Sequence, residues 1–222
     1  MQFSVTEENY LKAIYMLREN NDGGGVGTNE LSQQLQNKAA SVTDMLKRLA
    51  EKKLINYQKY KGVVLTSRGE KLAIKIIRKH RLWETFLVEK LSFKWDEVHE
   101  IAEQLEHIQS DELINRLENF IGNPRFDPHG DPIPDSKGQF NFLKSKPLSQ
   151  FNQKGNYLLT GVSEHSKSFL QHLTSVGLKI GDSIKVDELN AFDNSYKVTI
   201  NKKNIQFFSN KVASHILVVL KK

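Results

Sequence analysis

Apolar residues recur at helical spacing along the first quarter of the chain. Between 8 and 18 they form one stripe, which ends at the loop-forming run 21–25. Two shorter stripes follow at 28–35 and 39–53, and a polar turn at 36–38 separates them. Two short helices joined by a tight turn, the second ending in basic residues, are typical of a helix-turn-helix.

The pattern then changes to short apolar runs and longer helical stripes. The segment 54–66 predicts two short strands, as in the wing of a winged helix. A long helix is predicted over 67–91, a second one from near Trp95, and a further helical stretch over 111–120. The run 122–134 is rich in Pro and Gly and predicts a crossing loop.

The last third of the chain is predicted to be mainly β-structure. A polar linker over 136–152 leads into it, and one helix is predicted at 166–176, closed by a glycine. Short strands are predicted at 157–162, 183–186, 196–200, 205–208 and 216–220. Strands of this length with turns between them are typical of a small SH3-like barrel.

These elements define the predicted fold class, which is mainly α with a small β domain. The predicted domains are a winged helix-turn-helix (1–72), a helical metal-binding and dimerisation domain (73–140), a linker (141–155) and an SH3-like domain (156–222).

Composition narrows the classes of function. The chain has 222 residues, 38% of them hydrophobic, which is enough for packed cores. It contains no cysteine, which excludes disulfides, thiolate metal sites and thiol redox sensing. A polar N-terminus and the lack of a long apolar run predict a cytoplasmic protein without a membrane partner. The net charge of +6 is compatible with a polyanion partner.

Side chains away from the apolar stripe of the second helix-turn-helix helix are small, hydroxyl-bearing or charged. With the preceding lysine they form the predicted DNA-reading set: Lys38, Ala39, Ser41, Thr43, Asp44 and Lys47. Small residues let the helix start approach a groove, and hydroxyls reach base edges or phosphates. At the wing tip, Lys59, Tyr60 and Lys61 are predicted to contact the DNA backbone. The alternative is a three-helix packing module with a solvated basic face.

The middle third carries histidines and carboxylates at helical spacing. His80 and Glu84 are spaced i, i+4, and a second predicted helix places four such residues on one face: His99, Glu103, Glu106 and His107. Burying such a face without a cation is costly, whereas a plain surface helix more often pairs Glu with Lys or Arg. The pattern favours a site for a first-row divalent ion, with a solvated charged face as the alternative.

Several motifs, taken in order, resemble the DtxR/MntR family of metal-dependent repressors. The matching stretches are TEENYLKAIYML (6–17), SVTDMLKRL (41–49), VLTSRGEKLA (64–73), RKHRLWE (78–84), VHEIAEQLEHIQSDEL (98–113) and DPHGDPIP (127–134). The helix and the segment 177–186 of the last third resemble the FeoA-type domain of longer family members.

The resemblance implies two metal positions in each subunit. The residues that match the ancillary position are His80, Glu84 and His99. The residues that match the activating position are Glu103, Glu106 and His107, with Asp127 from the loop. Asn9 stands where relatives carry Met or Asp, and its amide oxygen can serve as a ligand. Glu164 or His165 could add a ligand from the FeoA-type domain.

Two positions bear on the choice of metal. Lys12 stands where manganese-sensing two-domain relatives have a carboxylate, so their dinuclear centre is not expected here. Glu103 stands where iron-sensing members have cysteine, and a carboxylate there resembles the manganese-sensing branch. The resemblance therefore implies Mn(II), with Fe(II) as the alternative.

The implied protein is a homodimeric repressor of metal-homeostasis genes that reads a palindromic operator in double-stranded DNA and turns over no small organic substrate. Apolar candidates for the dimer surface are Trp83, Phe86, Leu87 and Phe93. One alternative is a winged-helix regulator that senses a small organic ligand. Another is a dinuclear-metal enzyme, although the chain lacks the paired Glu-x-x-His motifs typical of such helical bundles.

Overall fold

A computed structural model describes residues 3–20, 24–58, 62–151 and 153–221. Within these ranges the chain forms two compact units. The first consists of Met1–His80, Glu103–Asp111 and Pro134–Gln139, and the second of Arg81–Ala102, Glu112–Ile133 and Phe140–Lys222. No helix in the described part is both long and apolar enough to cross a membrane.

The first unit begins with a helix-turn-helix and a two-stranded wing. Its elements are α1 (Val5–Asn20), α2 (Thr28–Gln34), α3 (Ala39–Glu51), β1 (Ile55–Gln58) and β2 (Gly62–Leu65). The strands are antiparallel, with Ile55 opposite Leu65. This arrangement confirms the predicted winged helix-turn-helix.

Sequence-local hydrogen bonds explain where α1 begins. Ser4 Oγ accepts from the backbone N–H of Glu7 at 3.2 Å, and the Glu7 carboxylate accepts from the Ser4 N–H at 3.1 Å. This reciprocal capping satisfies two backbone donors that the first turn leaves unpaired. The Glu7 carboxylate also pairs with Lys52 just after α3, so the capping residue is tied to the rest of the unit.

The core of the first unit follows from the apolar stripes. The fully buried side chains of the three helices and the wing include Leu11, Ile14, Leu31, Val42, Leu46, Leu49 and Val63. The long helix α4 (Ser67–Leu91) begins here, as predicted, and buries Ala73, Ile76 and Ile77.

Two shorter helices, α5 (His99–Leu105) and α6 (Asp111–Phe120), follow α4. The prediction that α5 starts near Trp95 was wrong, because the chain turns there and the Lys94 N–H is bound by the Glu97 side chain. The helix also ends earlier than the helical spacing implied. The Ile108 N–H bonds to the Leu105 carbonyl in a turn, so Glu106 and His107 follow the helix.

The C-terminal part of the second unit is the SH3-like domain. Its strands are β3 (Lys146–Pro147), β4 (Gly155–Val162), β5 (Ser183–Leu189), β6 (Tyr196–Ile200), β7 (Asn204–Phe208) and β8 (Ile216–Leu220). They form one antiparallel sheet in the order β3-β8-β4-β5-β6-β7. The helix α7 (Lys167–Ser175) was predicted, whereas β3 and the short helix α8 (Asn210–His215) were not.

Gly69, in the first turn of α4, allows a close approach between backbones. A Cβ at this position would lie 2.0 Å from the Leu54 carbonyl oxygen. That oxygen cannot give way easily, because it accepts from both the N–H and the hydroxyl of Thr66, at 2.9 and 3.1 Å.

We therefore expect Gly69→Ala to lower the free energy of unfolding by about 1–3 kcal/mol, the usual cost of overpacking. Urea unfolding followed by circular dichroism measures it. The control is Lys71→Ala, an exposed position on the same helix. Equal stability of the two variants would contradict the close approach.

Candidate metal centre

Three charged or ionisable side chains converge on Lys12 in the first unit. The Lys12 ammonium donates to Glu103 Oε1 and to Glu106 Oε2, each at 2.6 Å, and lies 3.3 Å from His80 Nδ1. His80 Nδ1 is itself 2.6 Å from Glu106 Oε2. Glu106 is fully buried, so its charge is compensated inside the protein rather than by water.

The other face of this group involves His107 and the first helix. His107 Nδ1 lies 2.6 Å from Glu8 Oε2, and the second Glu8 oxygen accepts from the Gln109 side chain at 2.7 Å. His107 Nε2 is 3.7 Å from Glu106 Oε1. We call the whole group the Glu106 pocket: Glu8, Lys12, His80, Glu103, Glu106 and His107.

Three buried polar atoms in this region have no hydrogen-bond partner within the described part of the chain. They are Glu106 Oε1, His107 Nε2 and Asn9 Oδ1. A buried acceptor without a partner is costly. All three belong to residues that the sequence assigned to the activating position, and imidazole with oxygen donors is a set suited to divalent first-row ions. The residues present therefore fit a metal ion.

A second cluster of potential ligands lies in the second unit, and we call it the Asp127 pocket: Glu84, Asp127 and His129. One ligand atom from each lies within 4.8 Å of the others. All three residues are buried, with exposures of 2%, 6% and 1% in that order. Two carboxylates and an imidazole withdrawn from water form a second set that fits a divalent cation.

The crossing loop holds this cluster in place through its own backbone. Asp127 Oδ1 accepts from the N–H groups of His129 and Asp131, at 2.8 and 3.0 Å. Gly130 has a positive φ of 88°, and a Cβ there would lie 2.1 Å from the Thr160 carbonyl oxygen. Only glycine permits this turn against β4.

The His129 ring is oriented by the backbone. Its Nε2 donates to the Trp95 carbonyl at 2.9 Å, which turns Nδ1 towards Glu84 Oε2 at 3.4 Å. A ring that donates one N–H to a carbonyl and presents its other nitrogen to carboxylates has the arrangement usual for metal-binding histidines.

Burial and neighbouring charges in the Asp127 pocket strongly shift the pKa values of Asp127 and His129. Burial, together with the negative charges of Asp131 and Glu84, raises the pKa of Asp127 to about 7. Burial alone lowers the pKa of His129, but its interaction with Glu84 and the charge of Asp127 outweigh burial and raise this pKa to about 9. The pocket therefore retains protons near neutral pH when no other cation is bound.

Two further histidines adjoin this pocket. His99 is exposed, and its Nδ1 lies 3.4 Å from Glu84 Oε1. The His165 ring stacks on His129 with 4.8 Å between centroids, and its Nε2 is 3.2 Å from the Val162 carbonyl. Glu164 instead accepts from the Ser166 N–H at 2.8 Å, at the start of α7.

His80 Nδ1 lies 2.6 Å from Glu106 Oε2. Asp127, which the resemblance grouped with Glu103, Glu106 and His107, lies beside Glu84 and His129. The loop's own hydrogen bonds fix where Asp127 faces. Glu8 was missed as a member of the Glu106 pocket, although its i, i+4 spacing to Lys12 places both on one side of α1.

The predicted DNA-reading residues occupy the start of α3. Lys38, Ala39, Ser41, Asp44 and Lys47 are exposed, while Thr43 is half-buried and its hydroxyl donates to the Ala39 carbonyl. Asp44 and Lys47 pair at 3.2 Å. The predicted wing-tip contacts Lys59, Tyr60 and Lys61 lie outside the described residues.

Three family models match the chain. They are the iron dependent repressor N-terminal DNA binding domain (residues 2–63), its metal binding and dimerisation domain (66–135) and the FeoA domain (146–220). The Diphtheria toxin repressor of Corynebacterium glutamicum is 31% identical over 192 residues, which cover 82% of this chain and 83% of that protein. The chain therefore belongs to the iron-dependent repressor family, whose members are DNA-binding regulators rather than enzymes.

Other known proteins are similar to this chain over part or nearly all of its length. The iron-dependent repressor IdeR of Mycobacterium leprae is 33% identical over 129 residues, and the match spans 58% of this chain but only 55% of that protein. A solved manganese-dependent transcriptional repressor in complex with manganese has a TM-score of 0.87 and 31% identity, over 96% of this chain and 99% of that one. The manganese regulator SloR has a TM-score of 0.75 and 34% identity, over 97% and 98%.

The pKa of Asp127 predicts a pH dependence of stability for the metal-free protein. The ordinary value is 3.8 and the folded value is about 7, so between these limits the unfolded chain loses a proton that the folded protein keeps. The free energy of unfolding contributed by this group therefore falls as pH rises from about 4 to about 7.

We expect Asp127→Asn, which keeps the oxygen acceptor, to be more stable than the parent at pH 7.5, with the gap closing towards pH 4. Urea unfolding in chelator measures this gap, and exposed Asp44→Asn is the control. If the variant is less stable than the parent throughout this range, ionisation of Asp127 does not lower the free energy of unfolding.

Proposed function

We propose that this chain is a metal-activated transcriptional repressor that binds double-stranded DNA as a homodimer and controls genes of metal-ion homeostasis. The observation that carries the proposal is the Glu106 pocket. In it, one buried atom each of Glu106 and His107 has no hydrogen-bond partner in the described part of the chain, and Glu8 and Lys12 of α1 reach the same group. A cytoplasmic location and a palindromic operator are parts of the same proposal.

The pocket connects the metal ligands to the DNA-binding helices. Lys12 binds Glu103 and Glu106, and Glu8 lies against His107, so α1 is held to the segment that follows α5. α1 in turn packs against α2 and β2 of the winged helix. Any change in the charge balance of the pocket therefore acts on α1, the helix that supports the winged helix-turn-helix.

The ligands that we propose for the activating ion are Asn9, Glu103, Glu106 and His107. A divalent ion bound there would supply positive charge to the atoms of Asn9, Glu106 and His107 that have no hydrogen-bond partner among the described residues. The protein's own part is to keep these acceptors dry and aligned. A hundredfold preference of the ion for the DNA-competent arrangement is worth about 2.7 kcal/mol, enough to shift a near-balanced equilibrium.

The Asp127 pocket is the proposed second position, with Glu84 and Asp127 as ligands and His129 added to them. His99 and His165 adjoin it and are the next nearest imidazoles. His80, which the resemblance assigned to this position, also contacts Glu106 of the Glu106 pocket.

Mn(II) is the proposed activator and Fe(II) the alternative. All the proposed ligands are nitrogen or oxygen donors, and an oxygen-rich set favours Mn(II) or Fe(II) over softer ions. A similar solved protein is titled as a manganese-dependent repressor with manganese, whereas similar curated proteins are named iron-dependent.

The dimer is proposed to form through the middle helices, as the name of the matching domain suggests. Two of the predicted surface residues, Trp83 and Leu87, are instead buried in this chain, at 8% and 3% exposure. Phe93 is exposed, and Phe120, on α6, is 66% exposed and packs against Phe86. An exposed aromatic residue beside a half-buried one is a better candidate for the contact surface.

We expect Mn(II) to raise the affinity of the protein for its operator at least tenfold and a chelator to abolish the gain, measured by fluorescence anisotropy at fixed ionic strength. His107→Gln should lose most of this response, because it removes a buried ligand. His172→Gln is the matched control, since His172 is exposed on α7. Equal DNA affinity with and without metal would refute the proposed function.

We expect the exposed residues of α3 to divide into base readers and backbone contacts. Ser41→Ala should change the preferred base at one operator position. Lys47→Ala should weaken binding to all DNA sequences alike, and it should lower the slope of log affinity against log salt concentration by about one. Selection of binding sites from a random DNA pool tests both. A uniform loss for Ser41→Ala would show that Ser41 does not read bases.

A further inference from the structure

A groove of about 630 Å³ in the second unit adjoins the Asp127 pocket. Its apolar lining comes from α4, the turn before α5, the crossing loop and the segment after α7, and consists of Val88, Trp95, Pro128, Leu178 and Ile180. We propose that this groove, which we call the Trp95 groove, binds a small organic anion with an apolar body and one carboxylate, and that its occupancy is linked to the Asp127 pocket.

The size and lining of the Trp95 groove suit a small molecule. Sites for small ligands are concave, mainly apolar and aromatic, and of roughly 300–1,000 Å³, with a few polar groups that fix the orientation of the ligand. The Trp95 groove meets this description, since an indole ring and aliphatic side chains form its walls. An apolar body that enters it would remove these walls from water.

The neutral and acidic polar groups of the Trp95 groove are already engaged within the protein. The indole N–H of Trp95 donates to the Thr174 hydroxyl at 2.9 Å, and that hydroxyl donates to the Leu170 carbonyl at 3.0 Å. The carboxylate that lines the groove, that of Asp96, accepts from the Gln171 side chain at 2.9 Å. These contacts leave the lysines of the lining as the groups that can receive a polar head.

Two exposed lysines of the lining make the Trp95 groove complementary to an anion. Lys94 reaches a carboxylate, that of Glu97, only at 3.9 Å, and its side chain is 73% exposed. Lys179 is exposed and has no ion-pair partner within the described ranges. Ammonium groups beside apolar walls match a carboxylate that is attached to an apolar body, and they disfavour a cation of the same shape.

The wall formed by Trp95 also orients a residue of the Asp127 pocket. The Trp95 carbonyl accepts from His129 Nε2 at 2.9 Å, and the indole ring stacks on the His129 ring, with 6.1 Å between centroids and 14° between planes. A ligand that fixes the Trp95 ring therefore also restricts the carbonyl and the ring face that hold His129.

Two further walls share backbone with the other members of the Asp127 pocket. Val88 lies one turn after Glu84 on α4, and Pro128 stands between Asp127 and His129. An anion in the Trp95 groove and a metal ion in the Asp127 pocket would therefore stabilise the same arrangement, and each would raise the affinity for the other by the same factor. This linkage rests on the proposed function, whereas the anion site does not.

The first test titrates the full-length protein with octanoate in the presence of a chelator, by isothermal calorimetry. Octanoate should bind at least about threefold more tightly than neutral octanamide and than octylammonium, because only the carboxylate meets the exposed lysines. Lys94→Gln together with Lys179→Gln should abolish this preference. The control is Lys211→Gln, an exposed position on α8 that does not line the groove. Equal binding of octanoate and octanamide, or an unchanged preference in the double variant, would overturn the inference.

The second test locates the ligand. The chain has two tryptophans, so Trp83→Phe leaves Trp95 as the only one. An octanoate that carries bromine at its apolar end should quench Trp95 fluorescence by contact, and binding without quenching would place the ligand elsewhere and overturn the inference. If Trp83→Phe does not fold, loss of quenching on Trp95→Phe in the otherwise unchanged chain gives the same answer.

The third test measures the linkage. Saturating Mn(II) should raise the affinity for octanoate at least about fivefold, and Glu84→Gln should remove this gain while octanoate still binds. If Mn(II) strengthens DNA binding but leaves octanoate affinity unchanged, the linkage is wrong and the proposed function stands. If Mn(II) changes neither, the proposed function and the linkage fail together.

Discussion

The arrangement of the N-terminal unit depends on one buried carboxylate, that of Glu106. A buried charge must be met by protein groups, and Lys12 and His80 are the groups that contact its Oε2 atom. These partners come from α1 and from α4. The helix α1, which supports the winged helix-turn-helix, is thereby attached to the segment after α5 by electrostatics rather than by apolar packing alone.

In the proposed function, this arrangement makes the first helix sensitive to cations. Where structure is held by charge compensation, a change in the number or position of positive charges changes the structure, and apolar contacts offer no such control. The pocket already contains one cation of the chain's own.

The Asp127 pocket follows a different principle. Its ligand atoms are placed by a loop whose backbone hydrogen bonds and Gly130 leave little freedom, and the raised pKa values of Asp127 and His129 reflect carboxylates crowded together in a buried space. A cation or protons must compensate this charge. Because β4 and His165 border the pocket, the FeoA-type domain is part of its wall.

The sequence by itself determined most of the elements and indicated the candidate chemistry. Apolar spacing predicted α1 to α4 and five of the barrel strands, because burial of one stripe is a local property of the pattern. The spacing of histidines and carboxylates predicted a metal-binding set. The early end of α5 and the partners of each ligand were decided by tertiary structure. His80 pairs with Glu106, 26 positions further along the chain, and Glu8 of α1 reaches His107, 99 positions further along. Spacing along one helix cannot reveal such pairs, since charge compensation in a buried pocket depends on which side chains the fold brings within reach.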